Sequence, residues 1–405
     1  KILSPPCWLN TENTMGQNKF EWPLINDNIT EQDKEALINW LQEPDVRFTQ
    51  SKYVKEFEQA WSDWLGVKYT VFVNSGASAN YIMASILKEM TGGGEVIVPP
   101  IGWVSDISPI VNLGMTPVFV DVDPGSMAIT AENIRNAITE KTVGITLVHA
   151  LGFNGLTDEL VSLAEENNLV LIEDCCESHG ATFGGQKIGT FGAMSNFSFY
   201  FGHHITTVEG GVVCTNDKEV YELAKMFRSH GMIREAGDDI ADAFSEKYPD
   251  LNPLFLFAVP GYNVRNTEFN AVLGLEQIKR LDNACVLRAN NFQTWVDNLD
   301  SQRFQTEFNI EGNSSFALPL IVKRQDKNLF KRACTTLEER KVEYRIGTAG
   351  GGNQARQPYL QKYDHRIVGE LSVANHIHDY GLYVGNHTEL DKQQIKNLCE
   401  ALNDC

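Results

Sequence analysis

The sequence predicts an α/β fold in which a mostly parallel sheet is covered by helices on both faces and is followed by a smaller α+β domain. Three observations carry this. Short apolar runs rich in Val, Ile and Phe recur along the chain, segments of helix length separate them, and the texture changes after a long helical stretch that passes residue 280. The expected division is 1–280 for an N-terminal arm and large domain, and 281–405 for a small C-terminal domain.

Taken in order, residues 1–30 read as irregular, with prolines at 5, 6 and 23. "TEQDKEALINWLQ" then predicts a helix with Thr30 as N-cap and Asp33 three positions on, close to a capping box. "YTVFVNSG" is a strand ending in a turn, and "SANYIMASILKEM" is the helix after it. "EVIVPP", "TPVFVDVD", "TVGITLVHALG", "NLVLIEDCC", "AMSNFSFYF" and "GGVVCTN" continue the strand series, because β-branched and aromatic residues suit a buried pleated surface. "FNAVLGLEQIKRLDNACVLRANNFQTWVDNL" supplies one or two long helices. Beyond them, "SSFALPLIVK", "ACTTLEERKVEYRIG" and a terminal helix near "KQQIKNLCEALN" compose the small domain.

Composition narrows the function. With 53 acidic against 34 basic residues, the net charge of −19 disfavours a nucleic-acid surface, since a polyanion is repelled at long range. Cysteines fall at 7, 175, 176, 214, 285, 334, 399 and 405, with no C-x₂-C pair, so no zinc or iron–sulfur framework is expected and reduced thiols in a cytoplasm fit best. No stretch approaches the ~20 apolar residues of a membrane span, and no signal-peptide core is seen at the N-terminus as given.

In such sheets ligands bind beyond the carboxyl ends of the strands, which singles out a few stretches. In "VNSGASAN", Gly76, Ala77 and Ser78 join a strand end to a helix start, where backbone N–H groups can hold an anion or merely form a tight turn. Asp174, closing "NLVLIED", can pair with a heterocycle's ring nitrogen or cap a helix; Glu177, three residues on, can orient a neighbour or lie in solvent. Trp103 in "VPPIGWVSD" can stack on a flat ring or fill the core. Ser198 can reach a phosphate or a local backbone group. In "FSFYFGHHITTVEGG", His203 and His204 stand where a strand gives way to a turn, and imidazole is the side chain suited to proton transfer near neutrality. Metal binding by the adjacent pair is disfavoured, because successive strand side chains point to opposite faces.

Together "EDCCESHGA", "FGHHITT", "RSHGM" and "GYNVRNTE" resemble the sugar aminotransferase family of pyridoxal phosphate (PLP) enzymes, over nearly the whole chain. The resemblance implies the aspartate aminotransferase type I fold. It also implies that Trp103 stacks on the cofactor ring, Asp174 pairs with its pyridine nitrogen and Glu177 supports the region of its ring hydroxyl. By the same resemblance Gly76, Ala77, Ser78 and Ser198 hold its phosphate, Asn263 reaches the neighbouring subunit's phosphate in a homodimer with shared sites, and His230, Arg265 and Arg345 bind substrate.

The chain departs from the family pattern at one position. Where the family normally carries the lysine that tethers the cofactor as an internal Schiff base, this sequence has His203, and no lysine occurs between Lys187 and Lys218. An imidazole cannot form that tether, but it can remove and return protons. Within the family this exchange marks the sugar 3-dehydratases. The implied activity is loss of the 3-hydroxyl from a nucleotide-linked 4-keto-6-deoxyhexose, a GDP-linked deoxymannose above all. PLP or pyridoxamine phosphate is then held noncovalently, glutamate donates the amino group, and ammonia and a 4-keto-3,6-dideoxy sugar are released. Two rival readings stand beside it: a sugar aminotransferase whose lysine lies elsewhere, such as Lys187, and a catalytically reduced binder of nucleotide sugars.

Overall fold

The protein, a computed structural model, is described over residues 20–405; the first part of the N-terminal arm, with Pro5, Pro6 and Cys7, lies outside the described residues. The strands are β1 (Tyr69–Val73), β2 (Glu95–Val98), β3 (Thr116–Val120), β4 (Thr142–Val148), β5 (Val170–Asp174), the two-residue pair β6 (Thr182–Phe183) and β7 (Gln186–Lys187), β8 (Met194–Ser198), β9 (Gly211–Thr215), β10 (Ala317–Ile321), β11 (Tyr344–Ile346), β12 (Arg366–Val368) and β13 (Gly381–Gly385). Eight of them form one sheet in the order β1-β9-β8-β5-β4-β2-β3-β12. Every pairing from β8 to β12 is parallel, while β9 runs antiparallel to both β8 and β1. The fold is the α/β architecture expected, and its central strands read as continuous apolar runs because both faces are covered: Val96, Ile97, Ile145, Leu147 and Phe197 are all fully buried.

Local sequence explains the elements around the sheet. Thr30 and Asp33 form the capping box, the Asp33 carboxylate accepting the Thr30 N–H at 2.7 Å. Glu268–Gln277 runs through a short 3₁₀ turn, Ile278–Arg280, into the helix Leu281–Asn298. Beyond it, β10, β13 and β11 form a separate antiparallel sheet. The C-terminal part also returns one strand to the large sheet, since β12 pairs with β3. Trp22 and Leu24 of the arm bond to Gly385 and Glu343, which carries the arm across the small sheet towards the cleft.

One local expectation is corrected. The run "AMSNFSFYF" does not continue as a strand past Ser198: Ser198 Oγ accepts the Tyr200 N–H and the Tyr200 carbonyl accepts the His203 N–H, closing a turn. His203 and His204 therefore lie in that turn and not at a strand end, so strand alternation does not set where their rings point.

Candidate active site

The site is built where β4, β5 and β8 end side by side. Register places Val148 beside Asp174 and Asp174 beside Asn196, and Ser198 closes β8 two residues later. Above these ends lies a cavity of about 350 Å³ that includes Gly76, Ala77, Trp103, Asp106, Asp174, Glu177, Ser198, His203 and Arg345 in its lining.

Asp174 forms its floor, almost fully buried. Its Oδ1 accepts the Cys176 N–H at 2.9 Å, and its Oδ2 accepts Asn80 Nδ2 at 2.7 Å and Asn196 Nδ2 at 3.2 Å. Three donors converging on one carboxylate fix its orientation. On one side, the helix Gly76–Thr91 starts against the cavity with Ser75 as N-cap, its hydroxyl accepting the Ser78 N–H at 3.0 Å. The first turn of a helix leaves N–H groups free to meet an anion. A Cβ on Gly76 would lie 2.7 Å from Ser198 Cβ and 2.9 Å from Cys176 Sγ, so only a bare backbone fits there. Ser78 is turned away: its hydroxyl donates to Asn74 Oδ1 at 2.6 Å, and it shapes the turn without lining the cavity. Trp103 presents a half-exposed ring to the opening (52% exposed).

His203 faces the same space. Its ring packs against Phe316 and His179, with centroids 5.3 and 5.9 Å away, and its buried Nδ1 has no hydrogen-bond partner among the described residues. Burial pulls its pKa down to about 4, with the Asp174 charge opposing and the Arg288 charge assisting, so the imidazole is a neutral base near pH 7. His204 is instead held against the Ser314 carbonyl at 3.1 Å and lies outside the cavity lining.

Glu177 accepts the Leu151 N–H at 2.8 Å. Burial first, then the Asp174 charge, push its pKa up to about 7, against the opposing charge of Arg345. A folded-state value above the ordinary 4.5 means that the native chain binds this proton more tightly than the unfolded chain, so the group costs stability progressively as pH rises from about 4.5 through 7. In urea titrations of the cofactor-free protein, Glu177→Gln is therefore expected to gain on the parent by roughly 3 kcal/mol across that window and to match it in acid. A difference that does not change with pH would contradict this.

Arg345 sits on β11 opposite Tyr383 of β13 and reaches the cavity from the small sheet. The other expected site residues lie elsewhere. His230 and Arg265 do not line this cleft: they line a second cavity of about 640 Å³ with Arg47, Arg234, Phe255 and Phe257. The cause is local pairing, since Ser229 bridges Asn263, Arg265 bridges Val73 of β1, and the Tyr262 carbonyl accepts the His230 N–H at 2.7 Å, which holds both segments beside the β1 edge of the large sheet. His230 takes a left-handed conformation there, with φ +63. Asn263 is exposed on the same flank, outside the cavity.

Among the described residues, no lysine lines the first cavity. Lys187 donates to the Trp64 carbonyl at 2.7 Å and lies 4.7 Å above the Trp64 ring, which removes it as a tethering amine. His149, Glu173 and Cys175 bring potential metal-ligand atoms within 4.8 Å of one another. Glu173, however, already accepts the N–H groups of Gly189, Phe191 and Gly192, and His149 Nδ1 that of Gly155, so the cluster is satisfied by the backbone. Asp106, Asn80 and Asn196 were not singled out from the sequence, although the quoted stretches contain all three.

A model of the DegT/DnrJ/EryC1/StrS aminotransferase family matches residues 27–403. A GDP-4-keto-6-deoxy-D-mannose 3-dehydratase of Yersinia pseudotuberculosis is 34% identical over 95% of this chain and 98% of that protein. A solved GDP-4-keto-6-deoxymannose-3-dehydratase with a trapped PLP-glutamate geminal diamine superposes with a TM-score of 0.85, at 30% identity, over 94% of this chain and 100% of that one. A GDP-perosamine synthase of Escherichia coli O157:H7 is 28% identical over 94% of this chain and 98% of that protein.

Proposed function

This chain belongs to the DegT/DnrJ/EryC1/StrS aminotransferase family, and on that premise we propose that it is a PLP-dependent sugar 3-dehydratase. Its substrate is a nucleotide-linked 4-keto-6-deoxyhexose, GDP-4-keto-6-deoxymannose in the first instance, and glutamate is the amino donor. The observation that carries this reading is the lining of the first cavity: the Asp174 carboxylate, a tryptophan ring and a bare helix N-terminus in the places an aminotransferase cofactor needs, with His203 and, among the described residues, no lysine beside them.

The residues fit the cofactor. The space a Cβ would fill at Gly76 suits a phosphate held by the Gly76 and Ala77 backbone and the Ser198 hydroxyl. Trp103 would cover the ring, Asp174 would face its pyridine nitrogen and Glu177 would support the ring hydroxyl. When bound, the cofactor supplies an electron-accepting ring and a primary amine that joins the sugar's ketone. His203, neutral near pH 7, is the base that takes a proton at the cofactor's aminomethyl carbon, and as imidazolium it is the acid that protonates the departing 3-hydroxyl. Arg345 would hold the substrate from the small domain, assigned to 281–405. Over one turnover glutamate and water would give the 2-oxo acid and ammonia, and the two electrons and two protons released would replace the sugar's 3-hydroxyl, which leaves as water, with hydrogen.

Asn263, His230 and Arg265 belong to the same proposal through a second copy of the chain. Phe255, Phe257 and Tyr262 are each more than half exposed on their flank. A cytoplasmic homodimer would cover it and let Asn263 meet the neighbour's phosphate. No helix among the described residues is long and apolar enough to cross a membrane.

The test is one incubation with glutamate, PLP and a panel of 4-keto-6-deoxy nucleotide sugars. Ammonia equal to the 2-oxo acid formed, with a 3-deoxy product, is the expected result. An aminated sugar without ammonia would make the chain an aminotransferase, and binding with no turnover would make it a scaffold.

A further inference from the structure

We infer that Asp106 is a positioning residue for this chemistry: as a carboxylic acid it donates a hydrogen bond to Asp174, and so keeps the shared proton on the cofactor's ring nitrogen and off Asp174. The inference rests on the reading that this nitrogen faces Asp174.

The geometry places two carboxyl groups around one amide. Asn80 Nδ2 lies 2.7 Å from Asp174 Oδ2 and 3.1 Å from Asp106 Oδ1. Asp106 sits on the 3₁₀ turn Val104–Asp106, directly after the tryptophan of the site, and its Oδ2 accepts the Trp103 N–H at 2.8 Å. The backbone is bare to admit it: a Cβ on Gly102 would lie 2.5 Å from Asp106 Oδ2. Asp106 is 5% exposed and Asp174 is 4% exposed. Two like charges gathered on one amide nitrogen, away from water, are untenable, and one carboxyl must hold a proton.

Hydrogen bonding decides which. An ionised carboxylate only accepts, and Asp174 accepts from three N–H donors, while Asp106 accepts from two and has a neighbouring anion to donate to. Burial, then the charge of Asp174 and a hydrogen bond with it, hold Asp106 well above the usual carboxylate range, against the opposing pull of the Trp103 N–H. Glu177 adds a weaker charge of the same sign. The consequence for the cofactor is direct. With Asp106 as donor, Asp174 meets the ring nitrogen as an acceptor only, so the proton between them belongs to the nitrogen and the ring stays electron-poor. It also leaves the pair with a single negative charge to match a single pyridinium charge.

The experiment uses full-length protein loaded with PLP labelled with ¹⁵N at the ring nitrogen, alongside cofactor-free protein in the infrared. In the wild type the resonance is expected at the protonated position at neutral pH. Asp106→Asn, whose amide keeps a donor, is expected to leave it there, whereas Asp106→Ala is expected to move it towards the unprotonated position and weaken PLP binding about tenfold. The cofactor-free wild type is expected to show a carboxylic acid C=O band at neutral pH that Asp106→Asn lacks. Absence of that band, or an unmoved resonance in a folded Asp106→Ala, overturns the inference while the wild type still binds PLP and turns over. If Asp106→Ala does not fold, the infrared comparison with Asp106→Asn decides. A wild type that binds no PLP overturns the functional reading and this inference with it.

Discussion

Replacing His203 with asparagine leaves cofactor binding intact and lowers deoxygenation on the order of 10²-fold or more, the usual cost of a lost acid–base group. Binding survives because the contacts assigned to the cofactor belong to other residues: the Gly76 and Ala77 backbone, Ser198, Trp103 and Asp174. Catalysis does not, because the other histidine of the lining, His149, has both ring nitrogens engaged, Nδ1 by the Gly155 N–H at 3.1 Å and Nε2 by Glu173 at 3.3 Å, which leaves His203 as the lining imidazole free to take a proton. Burial holds His203 at about 4, so its basic form is already full at neutrality and falls away only in acid. Glu177, at about 7, is partly protonated there and is turned towards the Leu151 N–H. Turnover of each variant with the nucleotide sugar, together with a PLP titration followed by absorbance, checks the claim. A His203→Asn enzyme with unchanged turnover would remove the histidine from the chemistry.

Much of this was legible in the sequence because buried parallel strands announce themselves as unbroken apolar runs, and because the residues at their carboxyl ends are few. Asp174 could be placed from the end of "NLVLIED" alone. The helix Lys52–Leu65 was also written there and went unread: Val54, Phe57, Trp61 and Leu65 recur at helical spacing, and Gly66 stops it with φ +90. Strand β12 was not legible. Three residues carry no periodicity, and Arg366 is fixed from outside by Glu95 at 2.8 Å and the Ala137 carbonyl at 2.7 Å. The turn after Ser198 was hidden by "FYF", which extends the apolar run although the ladder has ended.

The site divides in the same way. Residues as far apart as Gly76 and Arg345 meet in one cavity only because the small sheet folds back over the strand ends, and no local pattern states that distance. His230 and Arg265 follow a tertiary bridge to the flank that their own sequence does not show. Asp106 is the sharpest case: an acidic residue after a tryptophan in a loop reads as solvated, and its burial depends on Gly102 leaving room and on Asn80 arriving from another helix.

Asp174→Asn is expected to cost on the order of 10³-fold in turnover while the protein still folds, since removing one partner of a buried, hydrogen-bonded charge pair costs about 3–5 kcal/mol. Volume is conserved, so packing of β5 against β8 is unaffected. The charge is not conserved, and the new amide must set its NH2 against either Asn80 and Asn196 or the Cys176 N–H, all of which are donors themselves. The ring nitrogen loses its anion and its proton, and the ring accepts electrons less readily. The same change acts backwards on Asp106. Burial, the larger cause of its raised pKa, remains, but the charge and hydrogen bond of Asp174 are gone, so the acid band assigned to Asp106 should disappear at a lower pH in this variant than in the wild type. Steady-state rates and an infrared pH titration of the variant measure the two effects separately. A tenfold loss or less, with the Asp106 band unmoved, would show that these carboxyl groups do not share a proton and that Asp174 is not the anion the chemistry uses.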